Sequence, residues 1–234
     1  MKALVLGGSG SIGSAIVERL LQDDFEVIIQ YYQSDINKLK EQYKNEAVHF
    51  IQLDLTKNID LDEAFGHIKN LDCLVYSSGT ALYGMLQDMS DNDIDRSYNI
   101  HVKQLIRCSR YFIDTLRQSA EGRIIVISSI WGETGASMET IYSTMKSAQI
   151  GFVKALSQEL AMTSVTVNAV APGFVSGKMA SEFNEEEQQA ILNELPQQRM
   201  ITPDEVAHTC AYLWHPLAKS ITGTVQKVNG AWYL

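Results

Sequence analysis

Tyr142 and Lys146 stand four residues apart in a stretch that reads as helix, which puts both side chains on one face. A tyrosine ordinarily keeps its proton until about pH 10. An ammonium beside it favours the phenolate, which would make Tyr142 an acid or base usable near neutrality. The pair taken alone fits a half-buried tyrosine beside a solvated lysine equally well. Thirteen residues before Tyr142, behind an apolar run, come Ser128 and Ser129. At the carboxyl end of a parallel strand a side chain faces the ligand crevice, where the Ser129 hydroxyl would donate to a developing alkoxide. Asn99 lies inside a long helical segment, where asparagine is a poor helix former, so it reads either as a polar site residue or as an exposed bystander.

At the other end of the chain, an apolar run from Ala3 to Leu6 leads into Gly7-Gly8-Ser9-Gly10-Ser11-Ile12-Gly13, and a helical pattern follows. Glycines allow a tight turn and close backbone approach to a pyrophosphate, and the helix N-terminus supplies free N–H groups for that anion. A site that selects NAD places a carboxylate about 20 residues on, against the ribose 2′-hydroxyl. Tyr31-Tyr32-Gln33-Ser34 occupies that place, with Asp35 the nearest acid. Without an acid there is no repulsion against a 2′-phosphate, which favours NADP.

These residues need a scaffold, and the chain alternates strand and helix patterns throughout. Strands are predicted at Ala3–Leu6, Glu26–Tyr31, Val48–Gln52, Cys73–Tyr76, Arg123–Ser128, Val165–Val170 and Val225–Val228. Helices are predicted at Ile12–Gln22, Asn37–Tyr43, Leu61–Ile68, Asp91–Arg117, Ile141–Met162 and Glu182–Leu195, with another starting at Pro203. The alternation implies an α/β fold of one domain over 1–234, a Rossmann-type doubly wound parallel sheet with helices on both faces. Its 234 residues suffice for one large core. A net charge of −9 argues against nucleic acid and anionic membrane as partners. Cys73, Cys108 and Cys210 are too few for a disulfide framework, and the five histidines show no metal spacing, so no metal is expected. With no signal peptide or apolar span in the sequence, a soluble cytoplasmic protein is expected.

Taken together, the spacings resemble the short-chain dehydrogenase/reductase superfamily over nearly the whole chain, most closely its 3-oxoacyl-acyl carrier protein reductases. Further matches are Asn168-Ala169-Val170-Ala171-Pro172-Gly173, Ile221-Thr222-Gly223 and Val228-Asn229-Gly230. The resemblance implies NADP(H)-dependent reduction of a carbonyl, a 3-oxoacyl thioester or similar ketone, with Asn99, Ser129, Tyr142 and Lys146 catalytic. Tyr142 would protonate the carbonyl oxygen, Ser129 hold it, Lys146 also bind the nicotinamide ribose, and Asn99 order a water of the proton relay. Cofactor contacts would come from Gly7, Ser9, Gly10, Ser11, Ile12 and Gly13, then Tyr31 and Tyr32. Asp54 would meet the adenine; Leu55, Ser77, Ser78, Gly79, Tyr142, Lys146, Pro172, Gly173 and Val175 complete the set. A non-catalytic dinucleotide-binding sensor or scaffold is the rival reading.

Several positions depart from the family pattern. Its middle glycine is Ser11, the threonine before the first glycine is Leu6, and the threonine of the loop after Pro172 is Gly177. The Asn-Asn-Ala-Gly motif has become Tyr76-Ser77-Ser78-Gly79, so its asparagine network must be replaced. Two arginines that dock the acidic carrier correspond to Ala120 and Thr163. Residues 174–200 are expected to cover the site as a lid, and Trp131, Met138, Tyr83 and Phe174 to line an apolar pocket or pack in the core. A homotetramer is expected from the resemblance, with the apolar ending Ala231-Trp232-Tyr233-Leu234 at an interface.

Overall fold

The computed structural model describes residues 1–44 and 46–233. Seven strands form one sheet: β1 (Lys2–Leu6), β2 (Glu26–Tyr31), β3 (Val48–Gln52), β4 (Cys73–Tyr76), β5 (Arg123–Ile127), β6 (Thr166–Pro172) and β7 (Val225–Val228). Their order is β3-β2-β1-β4-β5-β6-β7, every neighbouring pair parallel. The order reverses between β1 and β4, and ligands bind outside the carboxyl ends of the strands at such a switch point.

The helices are α1 (Ser11–Gln22), α2 (Ile36–Gln42), α3 (Leu61–Phe65), α4 (Asp91–Tyr98), α5 (Gln104–Gln118), α6 (Trp131–Thr134), α7 (Thr140–Glu159), α8 (Glu185–Glu194) and α9 (Pro203–Trp214). Alternate residues of each strand feed two cores. Ala3, Val5, Val27, Ile29 and Ile125 pack under α1, α2 and α9, while Leu4, Leu6, Ile28, Leu74 and Ile124 pack under α3, α5 and α7. Strands buried on both faces explain the continuous apolar runs of the sequence. All three cysteines are free and buried. Among the described residues, no helix is long and apolar enough to cross a membrane.

Three helices differ from their sequence pattern. Asp91–Arg117 is interrupted by a π-helical turn, Asn99–Lys103, where the Gln104 N–H reaches back to the Asn99 carbonyl. The turn inserts a residue into the helical repeat and reorients the side chains that follow it. The third helix stops at Phe65, where Gly66 caps it with its N–H on the Asp62 carbonyl, and a Cβ on Gly66 would lie 2.4 Å from that oxygen. Glu182–Leu195 divides into a short 3₁₀ turn, Ala180–Glu182, and α8. Asn184 separates them by capping α8: its side chain accepts the Glu187 N–H and the Glu187 carboxylate accepts its own.

Candidate active site

The glycine turn carries β1 into α1 at the switch point. Gly7 has φ +80, and a Cβ there would lie 2.7 Å from the Ser78 nitrogen, so the turn touches the segment after β4 backbone to backbone. A Cβ at Gly13 would lie 2.1 Å from the Gly7 oxygen. Gln30, unnoticed in the sequence, braces the turn: its Oε1 accepts the Gly7 N–H at 2.8 Å and its Nε2 donates to the Leu53 carbonyl at 2.7 Å. Gly10 caps α1 without a side-chain bond, and no acid stands in the first turn, so the helix end offers free N–H groups and an uncompensated positive pole. Ser78 is buried with an unpartnered hydroxyl beside this turn. A cradle that any Cβ would fill, an anion-seeking helix end and an orphaned hydroxyl fit the diphosphate of a dinucleotide.

Tyr31 does not reach this cradle. Its ring is 7% exposed and packs edge-on against Phe50, because β2 ends with that side chain on the core face. The solvent-facing neighbour is Tyr32. Beside it the Ser34 hydroxyl donates to Ser9 Oγ at 2.9 Å, which joins the end of β2 to the glycine turn. Ser34 was not among the expected contacts, although its place in the acid-free run was the available signal. Asp54 accepts from Thr56 N and Oγ1 at 3.0 and 2.6 Å, which holds its carboxyl below the usual range. Leu55 and Ile12 point their side chains into or against the cores, leaving only their backbones for a cofactor.

Three of the four polar residues of the second constellation, Ser129, Tyr142 and Lys146, lie at the carboxyl edge of β5. Ser129 follows the strand, is 7% exposed, and its hydroxyl bears on the Tyr142 phenol in the sense that favours the phenolate. Its oxygen also accepts the Trp131 N–H at 3.2 Å. Lys146 is buried rather than solvated: its ammonium donates to the Ile127 carbonyl at 2.9 Å and lies 5.5 Å from the Tyr142 ring centre. The lysine therefore does not lower the phenol as the spacing suggests. Burial, with Glu139 adding to it, pushes Tyr142 up, while burial alone pulls Lys146 down to about 7. Asn99 opens the π-helical turn, which packs on α7, the helix of Tyr142 and Lys146.

His101, one of the five histidines without metal spacing, is fully buried in that turn with its ring edge-on to Tyr142 at 5.5 Å. Its Nε2 lies 3.0 Å from the Thr80 carbonyl and 3.3 Å from the Thr80 amide. Burial and the Lys146 charge pull it down to about 3, so it is neutral at physiological pH. A Cβ on Gly79 would meet its ring at 2.6 Å. Tyr76 donates its hydroxyl to the Ile100 carbonyl. These two residues tie the segment after β4 to the π-helical turn, where the family pattern uses asparagines. A lone histidine without a metal partner carried no such signal.

The segment after β6 runs from the carboxyl edge of the sheet. Pro172 accepts the Ile130 N–H at 3.0 Å, and a Cβ on Gly173 would lie 3.2 Å from Asn229. Val175 pairs with Ile201 in a parallel bridge built by the amides on either side, which turns its own N–H and C=O the other way. Phe174 packs on Phe183, Tyr83 is exposed, and Met138 borders Leu82, Met89 and Ile141. Trp131 stacks with Trp232 and Tyr233 of the same chain, so those rings have an intramolecular partner; Leu234 falls outside the described residues.

A turn that fits a diphosphate and a Ser-Tyr-Lys group share one sheet edge, and comparisons with known proteins place the chain in a family. The family model described as enoyl-(acyl carrier protein) reductase covers residues 7–231. The chain belongs to the short-chain dehydrogenase/reductase superfamily. It is 34% identical to the uncharacterized oxidoreductase YmfI of Bacillus subtilis, over 99% of this chain and 98% of the relative. It is 35% identical to the 3-oxoacyl-acyl-carrier-protein reductase FabG of Rickettsia typhi, over 97% of this chain and 95% of the relative. A solved structure of ElxO with NADP bound matches with a TM-score of 0.90 at 26% identity, covering 99% of this chain and 98% of that one. As a member of this superfamily the protein is an oxidoreductase.

Proposed function

We propose that the protein uses NADPH to reduce a 3-oxoacyl thioester, or a ketone of similar shape, to the secondary alcohol. The observation that carries this reading is the Ser129–Tyr142–Lys146 group standing beside the glycine turn at one end of the sheet. Bound NADPH supplies the hydride. Tyr142, whose buried phenol keeps its proton across the neutral range, gives that proton to the carbonyl oxygen. Ser129 donates to the same oxygen as charge develops on it. Lys146 holds the nicotinamide ribose. Asn99 orders a water that returns a proton to this group. The carboxyl-edge residues Gly7, Ser9, Gly10, Gly13, Ser77, Ser78, Gly79, Pro172, Gly173 and Val175 bind the dinucleotide, and residues 174–200 cover it. A homotetramer fits the exposed Ile94, Tyr98 and Ile106 of α4 and α5.

The name of the FabG relative and that of the family model suggest two thioester substrates, and one assay separates them. Purified protein with NADPH is expected to lose absorbance at 340 nm with a 3-oxoacyl thioester and not with the corresponding 2-enoyl thioester. No turnover with either would favour the sensor or scaffold reading. Carrier proteins are acidic, and this chain carries −9, with Glu185, Glu186 and Glu187 exposed on α8. Like charges slow encounter, most of all at low salt. The free thioester is therefore expected to reach a kcat/KM at least equal to the carrier-bound form. A carrier advantage that shrinks with salt would show a positive docking patch, for which Arg110, Lys154 and Lys178 are the available cations.

Cofactor choice is decided at Tyr32, since Tyr31 is buried. The unmodified protein is expected to bind NADPH more tightly than NADH. Tyr32→Asp sets a carboxylate against the 2′-phosphate and is expected to weaken NADPH by roughly tenfold, the size of one charge interaction near a protein surface. Fluorescence titration with both cofactors checks this, and equal affinities in the unmodified protein would refute the preference.

A further inference from the structure

Two departures from the family pattern, a serine for the middle glycine and a glycine for the loop threonine, meet in space. Ser11 Oγ accepts the Lys178 N–H at 3.0 Å across 167 residues of sequence. Gly177, immediately before, has φ +139, and a Cβ there would lie 2.4 Å from Ser11 Oγ and 2.5 Å from Ser11 Cβ. The space that a side chain at 177 would take is filled by the serine.

The consequence concerns residues 177–198. This excursion leaves the body at the Val175–Ile201 bridge, which acts as its base. Its own hydrogen bonds are local: Ser181 to Gly177 and Lys178, Phe183 to Ala180, Gln188 to Ala180, Phe183 and Asn184. No residue of α8 is buried. Among the described residues, Lys178 N–H to Ser11 Oγ is the one hydrogen bond that joins 177–198 to the rest of the chain. Apolar contact at Ala180, Phe183 and Leu195 does not fix position over the turn as a directed bond does.

We propose that Ser11 is a positioning residue: its hydroxyl latches the excursion onto the diphosphate turn, and the latch sets how quickly the bound dinucleotide leaves. The latter half rests on the function proposed above. A hydrogen bond across this contact links loop opening to cofactor release, a step that limits turnover in many enzymes. The glycine at 177 is required because the serine occupies its side-chain space.

Two measurements test the proposal. Hydrogen–deuterium exchange on the cofactor-free protein reads the latch itself, and Ser11→Ala is expected to speed exchange at 177–183 while leaving the sheet amides unchanged. Unchanged exchange at 177–183 would overturn the latch. Stopped-flow displacement of NADPH reads its effect on the cofactor. Ser11→Ala is expected to raise the dissociation rate roughly three- to tenfold, the range of one hydrogen bond. Gly177→Ala is expected to raise it further in the parent than in the Ser11→Gly background, where the clash is gone and only backbone strain is left. Equal effects of Gly177→Ala in both backgrounds would overturn the pairing. A protein with a protected 177–183 segment that binds neither NADPH nor NADH would overturn the cofactor reading and leave the latch standing.

Discussion

Tyr142→Phe is expected to lower the rate of ketone reduction by about 10²- to 10⁴-fold, the usual contribution of a positioned general acid. Phenylalanine keeps the ring that packs edge-on against His101, so the π-helical turn and α7 keep their contact. It removes the only group on that side chain able to give a proton. The NADPH dissociation constant is therefore expected to stay within a few-fold of the parent value, and the melting temperature not to fall. Steady-state kinetics with a 3-oxoacyl thioester and a fluorescence titration are the two measurements. Turnover close to that of the parent would remove Tyr142 from the mechanism; unchanged melting with lost turnover would separate chemistry from folding.

Lys146→Met is expected to abolish reduction and at the same time to stabilise the protein. Burial pulls Lys146 from the ordinary lysine value near ~10.4 down to about 7. Below about pH 7 the folded protein carries a buried ammonium, and the desolvation cost is present in full. Between about 7 and 10 the unfolded chain binds the proton and the folded one releases it, so stability rises with pH. Above about 10 both forms are neutral and the cost is gone. At neutral pH and below, the cost is on the order of a few kcal/mol. The lost bond to the Ile127 carbonyl offsets part of the gain. A melting temperature roughly 5 °C above the parent at pH 7 is expected, with the difference closing by pH 10. A variant that melts below the parent at pH 6 to 7 would show the ammonium to be well compensated. A residue that costs stability where it stands is a common mark of function.

The strands were legible because a sheet covered on both faces requires apolar residues at nearly every position. Glu26–Tyr31 and Cys73–Tyr76 have the bounds their composition indicates, and the half-buried edge strands Val48–Gln52 and Val225–Val228 keep theirs as well. The glycine turn was legible for a similar reason, since positive φ at Gly7 and close approach at Gly13 exclude side chains. What local pattern cannot carry is the direction of a side chain at the end of an element. Tyr31 and Tyr32 are the same residue type in adjacent positions, and strand alternation buries one ring and exposes the next. The protonation of Tyr142 and Lys146 was likewise beyond the four-residue spacing, because burial outweighs their mutual influence and burial is a property of the packed chain. His101 became visible only when the π-helical turn aimed it at Tyr142. Ser11 and Gly177 read as two separate departures from a pattern, and only the fold, which brings residues 11 and 178 within a hydrogen bond, made them one contact. Composition and periodicity thus determined the sheet, its helices and the residue types at its carboxyl edge. Tertiary structure decided which of those side chains face the crevice, since that depends on contacts between segments far apart in the chain.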